Sequence, residues 1–195
     1  MQSRNAIIAA IVVATAGRAQ SQTWAIDPNQ TAAQFSVRHL LVSTVRGQFD
    51  KLSGTVEYDG KDLKTLAVSV TIDVASVNTR VDMRDNDLRS PNFFDVAKYP
   101  TLTFVSRKVD PVDATHFKLT GALTIHGVTR DVVLDVESTL TPIRMGPMLR
   151  LGASATTKIN RRDFDLQYNR MVEATPLVGD EVTITIDIEV TRRAG

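Results

Sequence analysis

Apolar and polar residues alternate along most of this chain with a period of two, which is typical of half-buried β-strands. The segments with this pattern cover residues 31–39, 45–58, 63–74, 101–109, 116–125, 129–140, 149–159 and 181–191, with a short lead-in at Trp24 and Ile26. About eight strands at short spacing, without a long helical period or an internal repeat, predict an antiparallel up-and-down barrel or a sandwich. An eight-stranded barrel either fills itself with side chains or holds one small ligand, and the pattern leaves both outcomes open.

One stretch, residues 82–100, interrupts the alternation and reads DMRDNDLRSPNFFDVAKYP. Its serine–proline pair at 90–91 favours the start of a short helical turn, and Pro100 favours its end. The turn would carry two adjacent bulky side chains, Phe93 and Phe94. We therefore predict a helical insert around 82–95 that acts either as a lid on the barrel or as a surface crossover anchored to the core.

The first nineteen residues predict a secretory signal peptide. Arg4 lies in a short polar start, residues 6–16 are an almost unbroken apolar run, and residues 17–19 are small enough for a signal peptidase site. An apolar run of this length is too short to span a bilayer, which takes about 20 residues. We expect cleavage after Ala19, one domain over residues 20–195, and a soluble protein that is periplasmic or secreted.

Charge and cysteine content exclude two classes of function. The chain has 23 basic and 22 acidic residues, and losing Arg4 and Arg18 with the leader leaves 21 against the same 22, a formal net charge of −1. A near-neutral chain without a basic run does not have the electrostatic footprint of a nucleic-acid-binding protein. The chain contains no cysteine, so thiol chemistry and disulfides are excluded.

The histidines do not form a recognisable catalytic or metal-binding motif. His39, His116 and His126 are scattered without metal-ligand spacing, and cysteine ligands are absent. On its predicted strand, His39 shares a face with Phe35 and Val37, which favours a core or cavity position. An enzyme acting on a lipid with His39 as the base stays as an alternative.

Five segments in the right order resemble the YceI-like family, which are exported lipocalin-like barrels that bind polyisoprenoid lipids. They are FSVRHLLVSTVRGQFDKLSGTVEYD at 35–59, NDLRSPNFFDVAKYPTLTF at 86–104, LTIHGVTRDVVLDVE at 123–137, INRRDFDL at 159–166 and VGDEVTITIDIE at 178–189. Together they cover nearly all of the predicted mature chain. Asp87 departs from the pattern, since many relatives have histidine there. If that position touches a ligand head group, the charge preference of this chain differs.

The resemblance implies an all-β, eight-stranded antiparallel lipocalin-like barrel that is hollow and holds a long apolar chain. The implied activity is binding, carriage or sequestration of an isoprenoid lipid of quinone or polyprenyl type, without turnover and without a cofactor beyond the possible bound lipid. Transient membrane contact for loading is possible, and the oligomeric state, including a homodimer, stays open. A filled barrel that acts through its surface in a stress response or an interaction is the alternative from a different class.

The resemblance and the strand pattern together suggest a set of ligand-binding residues. Most are apolar and lie in the first three matched segments, and one is a cation that could neutralise or hydrogen-bond a polar head. The candidates are Phe35, Val37, His39, Arg89, Phe93, Phe94, Phe104, Leu123 and Ile125.

Overall fold

A computed structural model describes residues 22–168, 171–172 and 175–194. The predicted signal peptide at 1–19 and its cleavage site lie outside the described residues. Nearly all regular structure is β-strand. The strands are β1 Gln22–Ile26, β2 Ala32–His39, β3 Ser43–Phe49, β4 Leu52–Tyr58, β5 Ala67–Asp73, β6 Val77–Asn78, β7 Thr101–Pro111, β8 His116–Ile125, β9 Val128–Glu137, β10 Ile143–Met145, β11 Met148–Asn160, β12 Met171–Val172, β13 Thr175–Pro176 and β14 Val178–Arg193.

The strands close into an eight-walled antiparallel barrel. Three walls are each built from two consecutive pieces, β1 with β2, β3 with β4, and β5 with β6. The other five walls are β7, β8, β9, β11 and β14. Closure depends on β14, which pairs with β11 along one side and with β2 and then β1 along the other. The predicted all-β, eight-stranded antiparallel barrel is confirmed.

The break between β3 and β4 differs from the sequence interpretation. The alternation predicts one segment over residues 45–58, whereas the strand is interrupted at residues 50–51. Gly47 provides space on β3, because a Cβ there would lie 2.5 Å from Cζ of Phe35. The glycine therefore leaves room for an aromatic ring beside the strand.

The predicted helical insert around 82–95 exists, but the expected start of its helical turn was wrong. The helix α1 spans Asp82–Arg89 and ends at the serine–proline pair that was expected to start it. The backbone N–H and the hydroxyl of Ser90 both donate to the carbonyl of Asp87, and a proline next in sequence cannot continue the helix. Residues 91–94 form turns. Among the described residues, no helix is long and apolar enough to cross a membrane.

Two clusters of buried side chains fill different parts of the barrel. The first cluster contains Trp24, Tyr58 and Phe117, which are 1%, 4% and 4% exposed. It lies where β4–β5 and β7–β8 are connected, and we call this the sealed end. The second cluster is built around residues such as Phe49 and Phe164.

The second cluster lies toward the opposite end, which we call the lidded end. Here the barrel is covered by the lid segment, residues 82–100, and by a 3₁₀ helix at Arg161–Phe164. The β2–β3 turn projects at the same end. The two ends of the barrel are therefore closed by different kinds of structure.

Candidate functional site

An apolar cavity of about 250 Å³ runs inside the barrel. All eight walls contribute to its lining, together with the lid segment. Most lining side chains are aliphatic or aromatic, and the polar residues among them are few: Thr31, Gln34, Tyr58, Thr103, Ser138, Thr157 and Arg161. Since water in a protein cavity needs two to four polar partners, an interior of this kind favours an apolar occupant over water.

Seven of the nine predicted ligand-binding residues line this cavity, and their contact with a ligand stays a prediction. They come from β2, the lid segment, β7 and β8, so the fold brings together residues that are far apart in the sequence. The seven are Phe35, Val37, Phe93, Phe94, Phe104, Leu123 and Ile125.

Two of the lining aromatic rings lie against glycines on neighbouring strands. A Cβ at Gly47 would be 2.5 Å from Cζ of Phe35, and a Cβ at Gly121 would be 2.4 Å from Cζ of Phe104. A larger residue at either position would overlap with the ring beside it. The two glycines therefore leave room for these lining rings.

The two adjacent phenylalanines of the lid segment have different surroundings. Phe94 packs against the second core cluster, with its ring centroid 5.9 Å from that of Phe49. Phe93 lies outside both core clusters and contacts the ring of Tyr168 at 4.7 Å. Both rings are half-buried and both line the cavity. Phe94 thus has the surroundings expected of an anchor, and Phe93 has those expected of a lid.

The other two predicted residues, His39 and Arg89, do not line the cavity. His39 ends β2, opposite Ser43 and Val178. The guanidinium of Arg89 donates from Nε to the carbonyl of Ala75 at 2.8 Å and from Nη2 to the carbonyl of Val77 at 2.7 Å. These bonds fasten α1 to the barrel wall, so the side chain has a structural role in this arrangement.

Asp87 also lies away from the lining. Its carboxylate accepts a hydrogen bond from the side-chain amide of Asn92 at 3.0 Å, within the turn that follows α1. The departure from the family pattern at this position therefore changes a contact inside the lid segment.

A buried arginine that the sequence interpretation did not single out organises the lidded end. Arg161 is 3% exposed, and its guanidinium donates to the carbonyls of Leu166, Tyr168 and Gly179. It also forms an ion pair with Asp180 at 2.9 Å. Burial lowers the pKa of Arg161 from its usual value, which the nearby carboxylate partly offsets. The matched segment INRRDFDL contained this residue, but a charged side chain next to a second arginine is ordinarily read as exposed.

At the sealed end, Tyr58 places a hydroxyl-bearing ring in the cavity wall. Burial raises the pKa of this phenol, and the nearby carboxylates of Asp59 and Asp62 raise it further. The side chain therefore stays neutral under ordinary conditions and can act as a hydrogen-bond donor or acceptor.

The described residues contain no group of three or more histidines, aspartates or glutamates placed to hold a metal ion. His126 lies in the turn between β8 and β9 and is half-buried. Its ring lies 4.4 Å from that of Tyr99, and its Nδ1 is buried without a hydrogen-bond partner among the described residues. The interior is therefore an apolar tube with a few polar groups, of which Arg161 is charged.

The comparisons with known proteins agree with this architecture. The model of the YceI-like domain matches residues 24–190. The UPF0312 protein SAS2572 of Staphylococcus aureus is 34% identical over 150 residues, which are 75% of this chain and 84% of the relative.

Solved structures show the same fold. A YCEI protein of Campylobacter jejuni is 34% identical, with a TM-score of 0.67 over 81% of this chain and 90% of that chain. BcnA of Burkholderia cenocepacia is 25% identical, with a TM-score of 0.71 over 84% and 98%. A polyisoprenoid binding domain from Saccharophagus degradans is 20% identical, with a TM-score of 0.62 over 86% and 97%, which shows the fold alone. By its matched residues, its relatives and its barrel, this chain belongs to the YceI-like family.

Proposed function

We propose that this protein binds one long-chain isoprenoid lipid, of quinone or polyprenyl type, inside the barrel, and carries or sequesters it outside the cytoplasm without chemical turnover. The observation that carries the proposal is the apolar cavity, which all eight walls and the lid segment line. The polyisoprenoid binding domain that shares the fold supports the same class of ligand.

The lid segment limits how the lipid is held. Phe93 and Phe94 line the cavity, so a lipid chain that extends past them has to displace part of the lid segment. The barrel thus favours either a shorter chain or a lid that moves when the lipid enters.

The free energy of lipid transfer favours a carrier that exchanges its lipid over a protein that binds it irreversibly. Burying about forty carbons would release on the order of 30 kcal/mol relative to water, at about 0.8 kcal/mol per methylene. An isoprenoid starts from a bilayer, however, where that gain has already been realised. Exchange between bilayer and barrel is therefore nearly balanced, and selectivity comes from cavity length and from the few polar groups of the lining.

Organic extraction of the purified exported protein, followed by mass spectrometry, tests the proposal. We expect one long-chain lipid at a yield near one per protein chain, recovered chemically unchanged. Extracts that stay empty, also after incubation with isoprenoid-containing vesicles, would favour a filled barrel whose surface does the work. A chemically altered lipid would favour the enzymatic alternative.

Intact-mass measurement of the same exported protein tests the predicted cleavage of the signal peptide. We expect a chain that begins at Gln20. A chain that retains residues 1–19 and stays with the membrane fraction would contradict the signal-peptide prediction.

A further inference from the structure

The lidded end presents apolar side chains to solvent, next to the covered end of the cavity. Leu41 and Val42, in the β2–β3 turn, are 63% and 83% exposed, and Met83 at the start of α1 is 83% exposed. Isolated exposed apolar residues are common on protein surfaces. Here, however, two separate elements contribute them at one end of the barrel.

The backbone that carries this surface is strained. Leu40 and Leu41 have φ values of 50° and 59°, and Arg80, which precedes α1, has 65°. Residues other than glycine, asparagine and aspartate rarely adopt this left-handed conformation, because it brings Cβ too close to the following carbonyl oxygen. A turn that only reversed the chain would be more stable with asparagine or glycine, so the leucines are there at a cost to folding.

Arginines surround the apolar side chains. Arg38 donates to the carbonyl of Leu41 and braces the turn, and Arg84 donates to Thr79. Arg46 and Arg80 are exposed on neighbouring segments, since β3 pairs with β6 at Gln48 and Asn78.

None of these four arginines forms an ion pair within the described part of the chain. Asp50 and Asp82 are exposed carboxylates close by, and Asp85 is buried beside Thr79. The four arginines outnumber these three carboxylates, so the side chains give this surface a small net positive charge.

We propose that the lidded end docks on an anionic phospholipid surface. Leu41, Val42 and Met83 enter the interfacial layer of the bilayer, while Arg46 and Arg80 lie at the phosphate groups. Apolar burial combined with cationic attraction is the pattern by which peripheral proteins bind anionic membranes. The lid segment would then face the bilayer. The use of this contact for loading rests on the proposed lipid binding, whereas docking itself is measured separately.

The opposite end supplies a matched control. Ile143 and Met145 are 70% and 63% exposed on the β10–β11 hairpin. β14 separates the two surfaces, because its Val178 pairs near the β2–β3 turn and its Arg193 pairs with Met148. A strand of 16 residues spans about 50 Å, so one vesicle contact cannot engage both ends.

The test is cosedimentation of the exported protein with vesicles of equimolar phosphatidylglycerol and phosphatidylcholine, and with vesicles of phosphatidylcholine alone. The turn variant combines Leu41→Asn with Val42→Ser, and asparagine suits the left-handed backbone at 41. We expect at least about a tenfold loss of binding to anionic vesicles, since two aliphatic side chains no longer enter the interface. All variants share one N-terminus, so any contribution of residues 1–21 cancels.

The charge variant combines Arg46→Gln with Arg80→Asn. We expect about a tenfold loss on anionic vesicles and little change on neutral ones, because only the electrostatic contribution is removed. Binding of the unmodified protein should weaken as salt rises, since the Debye length falls to about 8 Å at 0.15 M. The control variant, Ile143→Thr with Met145→Gln, should bind vesicles like the unmodified protein.

Three results would overturn the docking proposal. They are unchanged binding of the turn variant, a loss confined to the control variant, or a turn variant that changes only the oligomeric state in light scattering. The last result would make the surface an interface between two copies. Extraction of each variant separates docking from ligand binding: a normal lipid load with lost vesicle binding supports docking alone, and an empty unmodified protein contradicts the proposed function.

Discussion

The two ends of the barrel are closed in different ways. At the sealed end, large side chains such as Trp24 and Phe117 are almost fully buried between strands. At the lidded end, the cover consists of segments outside the barrel walls. Phe164 anchors one of them in the core, and polar bonds fasten the segments to the backbone, above all those of Arg89 and Arg161. Removing a few polar contacts can release such a segment, whereas opening a packed core costs much of the stability of the domain. If the barrel binds a lipid as proposed, we expect it to enter and leave at the lidded end.

The largest effect should come from truncating the sealed end. Trp24→Ala removes a ring that is 1% exposed and that Arg192 covers at 4.8 Å. We expect a loss of about 3–5 kcal/mol in the free energy of unfolding, measured by chemical denaturation. Val112→Ala, at an exposed position near the same end, should change it by less than about 0.5 kcal/mol. A mild effect of the tryptophan variant would mean that this end is not held by core packing.

The second-largest loss of stability should come from removing the polar contacts of Arg161 at the lidded end. Arg161→Met leaves several buried carbonyls without their donor and Asp180 without its buried partner. We expect about 3 kcal/mol of destabilisation, or roughly 6–12 °C in melting temperature for a domain of this size. Arg162→Gln is the matched control. The Arg162 side chain pairs with the same carboxylate but is 47% exposed, and exposed ion pairs contribute at most about 1 kcal/mol. Equal melting temperatures in the two variants would contradict the role given to the buried arginine.

A moderate and divided effect is expected from the two lid phenylalanines. Phe94→Ala should lower the lipid-free melting temperature, by less than the 3–5 kcal/mol equivalent of a fully buried ring, because the side chain is half-buried. Phe93→Ala should change that temperature little and weaken retention of bound lipid. Differential scanning calorimetry and lipid extraction measure the two properties. If both variants keep their full lipid load, or if both unfold, the lid segment is a structural crossover only.

The smallest effect concerns pH at the β7–β8 turn, near the sealed end. Hydrogen bonds from Thr115 and His116 hold the pKa of Asp113 at about 2, and Asp113 in turn raises the pKa of His116. Because the pKa of Asp113 is lowered, its carboxylate stabilises the fold at a pH above its pKa in the unfolded chain. This contribution is lost as the pH falls toward 2. The raised histidine pKa stabilises the fold below about 6.5, and this contribution is lost as pH rises through the raised value.

The contact is therefore strongest between about pH 4 and 6.5. NMR titration of His116 checks it. The pKa should fall toward the usual value in Asp113→Asn, while lipid load should not change. A pH-dependent lipid load would show that the sealed end also controls the ligand.

Strand positions could be predicted from the sequence because each half-buried strand alternates apolar and polar residues within its own segment. The segment 116–125 matches β8 residue for residue, and 149–159 differs from β11 by one residue at each end. Cavity residues such as Phe35 and Phe104 followed from the same alternation, since inward-facing positions recur at every second residue.

What could not be predicted depends on contacts between distant segments. The serine–proline pair carries the residue preferences of a helix start, but the carbonyl of Asp87 makes it a helix end. The sequence predicts that Arg89 can contact a ligand head group. In the structure, its guanidinium donates to the carbonyls of Ala75 and Val77. Likewise, the buried position of Arg161 exists only because segments around 166 and 179 converge on it.

Native mass spectrometry of the exported protein tests the central claim most directly, with the unmodified chain, Phe93→Ala and Trp24→Ala measured side by side. We expect one long-chain lipid on the unmodified chain. The Phe93 variant should lose that lipid faster to empty acceptor vesicles, and the folded fraction of the Trp24 variant should retain it. An unmodified chain that carries no lipid and takes none up from isoprenoid-containing vesicles would contradict the central claim.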